Sequence, residues 1–319
     1  MSRTRGRAIR CVALGFGLCL LAPVGAARAA ERGIEFTVRP AHPDYGHPRR
    51  AAWLVHRADP GDVVRDVVVV ENLGEVRLDL VVYPTDAATT AQGAFALQPR
   101  EAPVEDVASW VSVRRDRLHL RPGRSARVPV RIRIPENAVP GDHPGGVVAR
   151  LARPVGRGPV GTYLAVGTRL YLSVTGPRRP RLEILSTDVT VRGGRPIVRA
   201  EFANTGNTVL DVTGSYQVGG WFGLEGSRQG FGPAMELVPG AEVSRTLRYP
   251  DALLGGWYTV TVRLTDGEVH TLVREHGVFV PPSPALLLAL GAVVAFLVWS
   301  AWALARRRRA RVLSAQPAV

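Results

Sequence analysis

The chain has 319 residues, 46% of them hydrophobic, and a formal net charge of +14. All 41 basic residues are arginine; five lie in residues 1–29 and five in residues 306–319, so 31 arginines face 27 acids in between. That middle segment sits near +4 and lacks the clustered basic face a nucleic-acid binder requires, while the only cysteines, Cys11 and Cys19, exclude thiol catalysis, iron–sulfur clusters and Cys-type zinc sites beyond residue 29.

Arg3, Arg5, Arg7 and Arg10 form a positive n-region, Cys11–Val24 an apolar h-region, and Ala27-Arg28-Ala29 an A-x-A cleavage site. Residues 1–29 therefore read as a signal peptide. An uncleaved anchor is the alternative, but its apolar stretch is shorter than a spanning helix needs. Leu18 stands where a lipobox wants a small residue before Cys19. An exported domain without cysteine must rest on its apolar core. Arginine without lysine, with abundant Ala, Gly, Val and Pro, indicates GC-rich coding and a high-GC bacterial source.

Strand patterns fill residues 30–281. Val76, Leu78, Leu80 and Val82 alternate with other residues, as do Val128, Val130, Ile132 and Ile134, and then Val260, Val262 and Leu264. Period two places each set on one face of a strand. Pro129 inside such a pattern predicts an edge strand or bulge. Thr85–Ala108 has weak periodicity; it reads as a long surface loop with a short helix near 104–109, either functional or a solvated insertion.

The pattern repeats. Asn72-Leu73-Gly74 followed by Leu120-Arg121-Pro122-Gly123 returns as Asn204-Thr205-Gly206 followed by Leu237-Val238-Pro239-Gly240. Asn-x-Gly supplies a turn between strands and Pro-Gly sets a type II turn. The expected fold is all-β: two tandem Ig-like β-sandwich domains, 30–177 and 178–281, plus a C-terminal transmembrane α-helix. Thr175–Pro180 reads as the linker.

Three loops carry candidate chemistry. His42, Asp44 and His47 fall in one short loop, either a partial metal site or solvated. Asp142 and His143 sit in a Pro-Gly-Asp-His-Pro-Gly-Gly turn, where they either hydrogen-bond a sugar or peptide or make a tight turn in which Asp142 caps its own backbone. Trp221 and Phe222 lie in the glycine-rich stretch 219–226; they anchor a partner or plug the end of the second sandwich. Trp53, Trp110, Tyr163 and Trp257 lie in strand-like segments and are expected in the core.

Residues 282–284 read as a proline-rich spacer lifting the domains off the bilayer. Residues 285–305 contain no charge and reach across a ~30 Å bilayer core at ~1.5 Å per residue. Arg306–Arg309 and Arg311 then mark residues 306–319 as a cytoplasmic tail, with Trp299 and Trp302 near that interface. The domains would lie outside the cell.

Several segments appear together in order: FTVRP at 36–40, DVVVVENLG at 66–74, DLVVYPTDA at 79–87, LRPG at 120–123, IPENAVPGDHPGGVVARL at 134–151 and VGTRLYLSV at 166–174. This series resembles the peptidoglycan-binding domain of WxL-interacting cell-surface proteins in its actinobacterial, membrane-anchored form. FANTGNTVLDVTGSY at 202–216 resembles the Ig-like domain that follows it there. The resemblance spans about residues 33–311. It implies a non-enzymatic surface protein contacting peptidoglycan with its first domain and an envelope or host protein with its second.

No nucleophile elbow, P-loop, dinucleotide fingerprint or H-E-x-x-H motif occurs, and no LPxTG-like motif precedes the helix. The sequence thus predicts a binding or scaffold protein without cofactor or metal. The alternative is a chaperone-like assembly subunit acting through Ig-like edge strands.

Overall fold

A computed structural model describes residues 33–44, 46, 51–155, 161–220, 226–266 and 271–313, with side chains to Arg306. The expected signal peptide, the residues Tyr45 and His47, and the segment with Trp221 and Phe222 lie outside the described residues.

The first unit contains, in chain order, β1 (Phe36–Pro40), β2 (Leu54–Ala58), β3 (Val63–Asn72), β4 (Leu78–Thr89), β5 (Phe95–Leu97), β6 (Val111–Val113), β7 (Arg117–Leu120), β8 (Ser125–Arg133), β9 (Gly141–Leu151) and β10 (Ala165–Val174). One sheet has the order β1-β3-β8-β6. The other runs β2-β10-β9-β4-β5, with β7 also on β4. The second unit contains β11 (Leu182–Arg192), β12 (Arg195–Asn204), β13 (Leu210–Gly219), β14 (Gln229–Gly230), β15 (Met235–Leu237), β16 (Glu242–Arg248), β17 (Gly256–Thr265) and β18 (Thr271–Val280). Its sheets run β11-β12-β16 and β14-β13-β17-β18, with β15 also on β13. The protein is thus two tandem Ig-like β-sandwiches, followed by the helix α1 (Pro284–Leu313).

Each sandwich has its own core. Leu78, Leu80 and Val82 meet Val128, Val130, Ile132 and Ile134 in the first; Val260, Val262 and Leu264 pack on Phe202 and Leu237 in the second. The period-two faces are therefore the buried ones, except that Val76 precedes its strand and stays exposed.

The sequence repeat has a structural meaning at atomic level. Asn72 is buried; its Nδ2 donates to the Val76 and Leu120 carbonyls, and its Oδ1 accepts from Gly74 N. Asn204 repeats this with Thr208, Leu237 and Gly206. The Asn72 and Asn204 carbonyls then accept from Gly123 N and Gly240 N, the turn glycines, whose φ of 65° and 79° suits position i+2 of a type II turn. One buried amide thus ties two strand ends and a turn together in each sandwich.

The two topologies coincide when β3 is matched to β12, β4 to β13, β8 to β16, β9 to β17 and β10 to β18. The first sandwich adds two strands. β2 pairs in parallel with β10, and β6 pairs with β8 through Val111↔Ile132 and Val113↔Val130. Pro129 therefore does not mark an edge strand: β8 lies between β3 and β6. Its carbonyl faces the β6 side and accepts from Arg114 N just past the end of β6, so its missing N–H costs the β3–β8 ladder no bond.

The segment 85–108 is ordered by one carboxylate. Buried Asp86 accepts from the amides of Glu105, Asp106 and Ala108, fixing a 3-10 turn at Val107–Ser109. Two of the four aromatics expected in the core are on the surface. Trp257 is 61% exposed, and exposed Tyr163 lies under the Arg150 guanidinium, 4.2 Å from its ring centroid.

Candidate functional site

Asp142 and His143 open β9, and internal partners surround both. The Asp142 carboxylate accepts from Ser173 Oγ at 2.6 Å, from both terminal nitrogens of Arg178 at 2.9 and 3.1 Å, and from Val209 N at 2.9 Å. Four bonds use about as many lone-pair sites as a carboxylate has. Val209 belongs to the second sandwich, so Asp142 caps a backbone amide across the junction rather than its own. Asn207 completes the knot: its Nδ2 donates to the Pro140 and Pro177 carbonyls, its Oδ1 accepts from Arg179 N, and its carbonyl accepts from Asp142 N.

His143 faces the other way. Nδ1 donates to Asp106 Oδ1 at 2.6 Å and Nε2 donates to the Val139 carbonyl at 2.8 Å, while the ring lies 4.6 Å from that of Trp110. The Val139 carbonyl only accepts, so Nε2 carries a proton, and an ionised Asp106 carboxylate favours a second proton on Nδ1. Burial opposes that charge, but the bonds to Asp106 and Val139 outweigh it and raise the His143 pKa. His143 thereby pins the 85–108 insertion to the turn before β9.

A second set of contacts crosses the junction. Arg169 lies over the rings of Trp53 and Phe95, 4.9 and 4.2 Å from their centroids, and donates to Glu236 at 2.9 Å. Tyr171 donates to the same carboxylate. Burial, then this bond to Glu236, pushes the Tyr171 hydroxyl well above its usual range. Glu236 N donates to the Gly93 carbonyl, and Thr89 Oγ1 both donates to the Glu236 carbonyl and accepts from Val238 N. Arg245 reaches the Gln92 carbonyl. Gly93 has φ 75°, and a Cβ there would lie 2.4 Å from Met235 Cγ, so the Met235 side chain lies directly against the Gly93 backbone.

Beside this junction the second sandwich has an open sheet edge. β16 pairs with β12 on one side only, and among the described residues no strand lies on the other. Thr246 pairs with Arg199 as Pro129 pairs with Val67 in the matched strands. Where the first sandwich has a proline and a covering strand, the second presents an exposed threonine with its amide outward. Sequence reasoning missed this place, because its signal is the absence of a β6 equivalent. The Arg169–Glu236 cluster was missed as well: Arg169 and Tyr171 alternate with Leu170 and Leu172 as any solvated face would.

α1 includes a stretch of 23 residues, Pro284–Arg306, whose most apolar part has mean hydropathy 2.2 with none of that part buried, long and apolar enough to cross a membrane. No family model matches the sequence, and no curated protein does. Among solved structures, the chain is similar to the class 5 fimbriae chaperone CfaA (10% identity, covering 76% of this chain and 98% of that one, TM-score 0.36). It is also similar to the E. coli chaperone DraB (11%, 77% and 98%, 0.34) and to the Pseudomonas aeruginosa CupB2 chaperone (9%, 71% and 97%, 0.33). At these identities the likeness concerns the fold alone.

Proposed function

We propose that the protein is a non-enzymatic, single-pass envelope protein whose second sandwich takes up an extended segment of a partner protein along β16. The observation that carries this reading is the bare outer edge of β16, set against the matched edge of β8, which β6 and Pro129 close. A strand edge with free amides and carbonyls is a template for pairing, and strand addition uses it. The junction contacts at Asp142, Asn207 and Glu236 hold the first sandwich against this region, so a partner strand would meet a preformed surface and lose less entropy on docking. The helix α1 would anchor the body in the membrane, with Arg306–Arg309 on the cytoplasmic side and both sandwiches outside.

The test uses Thr246→Pro in the full-length protein. Pro129 shows that this strand position accepts proline, so the fold should survive while the outward amide is lost. A photo-crosslinker at the exposed Ser244 position should capture a discrete envelope protein, and Thr246→Pro should abolish that capture with thermal stability unchanged. Equal capture by both proteins would refute strand addition. The wall contact implied by the family resemblance is read in parallel by co-sedimentation with purified peptidoglycan sacculi: salt-resistant retention supports it, and release by modest salt reduces it to charge attraction.

A further inference from the structure

At the end of the second sandwich nearest α1, two large aromatics are bare. Trp257 on β17 and Phe279 on β18 form a cross-strand pair with ring centroids 5.3 Å apart, 61% and 49% exposed. Leu254, in the loop entering β17, is 69% exposed. All three lie within a few residues of the point where the chain leaves the sandwich, because Val280 ends β18 and Gly256 pairs with it.

Only Pro281, Pro282 and Ser283 separate β18 from α1. Fully extended they reach no more than about 11 Å. They are not free, however. A Cβ on Gly255 would lie 2.5 Å from Pro282 Cα, so the connection packs on the loop before β17. Ser283 also starts the helix: its Oγ accepts from Leu286 N and its carbonyl from Leu287 N. The spacer expected to lift the sandwich away thus packs on the sandwich through Pro282 and caps the helix through Ser283.

The helix lacks aromatics where they are usual. Trp299 and Trp302 stand toward the arginine end, but residues 284–291 include none. Spanning segments enrich indole and phenol rings at both interfaces, each a layer of about 5–7 Å.

We propose that Trp257, Phe279 and Leu254 rest in the outer headgroup layer of the bilayer that α1 crosses, so that the fold rather than the helix supplies the missing interfacial aromatics. This rests on the reading of α1 as a spanning helix. An unpaired apolar patch so close to a membrane helix would meet lipid before any soluble partner.

The experiment uses the cysteine-free mature chain in phosphatidylcholine vesicles. An environment-sensitive fluorophore is attached through Leu254→Cys, through Thr271→Cys at the far end of β18, or through Ala301→Cys inside α1. Each is read with a lipid-borne headgroup quencher and an aqueous quencher. The expected result is lipid quenching at position 254 several-fold above that at position 271, lost in Trp257→Ser/Phe279→Ser. Equal, aqueous behaviour at 254 and 271, with the label at 301 shielded from the aqueous quencher, would overturn the headgroup contact and leave the spanning helix standing. Aqueous access at 301 would overturn both.

Discussion

Removing one buried amide should destabilise the second sandwich selectively. Asn204 is fully buried, and Asn204→Ala would leave the Thr208 and Leu237 carbonyls and the Gly206 amide without the side-chain partner that now serves all three. At the low end of the cost of an unsatisfied buried group, about 1 kcal/mol each, the loss is about 3 kcal/mol. That is a large share of a domain stability of about 5–15 kcal/mol. Amide hydrogen exchange on the full-length protein reads the effect locally. In β12, β13 and β16, protection should fall on the order of a hundredfold, since about 1.4 kcal/mol is one decade. Exchange in β3, β4 and β8 should stay close to wild type, because the first core shares none of these residues. A fall of less than about fivefold, or an equal fall in both sandwiches, would refute the argument that the repeated asparagine is the local fastener.

Two further outcomes follow from the site geometry. The His143 pKa is raised in the folded state above the ordinary value near 6.5. Its contribution to stability is therefore complete below pH ~6.5 and disappears as pH climbs through the elevated folded value. An NMR titration of His143 should show a midpoint above that of a free imidazole, moving down in Asp106→Asn; a midpoint at or below the free value would refute the pairing. Asp142→Ala removes the carboxylate that joins Arg178 to Val209 N, so tryptic cleavage at Arg178–Arg179 should accelerate by about tenfold, the equivalent of ~1.4 kcal/mol of local opening. Unchanged cleavage would refute a role for Asp142 in holding the junction closed.

Much of the architecture was legible in the residues. Period-two alternation located the core faces of β4, β8 and β17, since a strand with one wet face must repeat every second residue. The paired Asn-x-Gly and Pro-Gly segments announced two sandwiches of one topology, and they do so because each asparagine bonds groups from distant strands. The site was less legible. Asp142 and His143 stood out as polar residues in a glycine-rich turn, but their partners Asp106, Arg178 and Val209 lie 31 or more residues away. Trp257 looked like a core residue because it opens an alternating strand; its register with exposed Phe279 puts it on the outer face. The bare edge of β16 is a missing neighbour, and no residue spells out an absence.

The packing of Pro282 on Gly255 has a mechanical consequence. With Asp142 and Asn207 bonding across the junction, both joints between α1 and the first sandwich carry packing or hydrogen bonds among the described residues. If α1 spans a bilayer, those joints would restrict the height above the lipid of whatever the first sandwich touches, and a sideways pull there would reach the helix as torque.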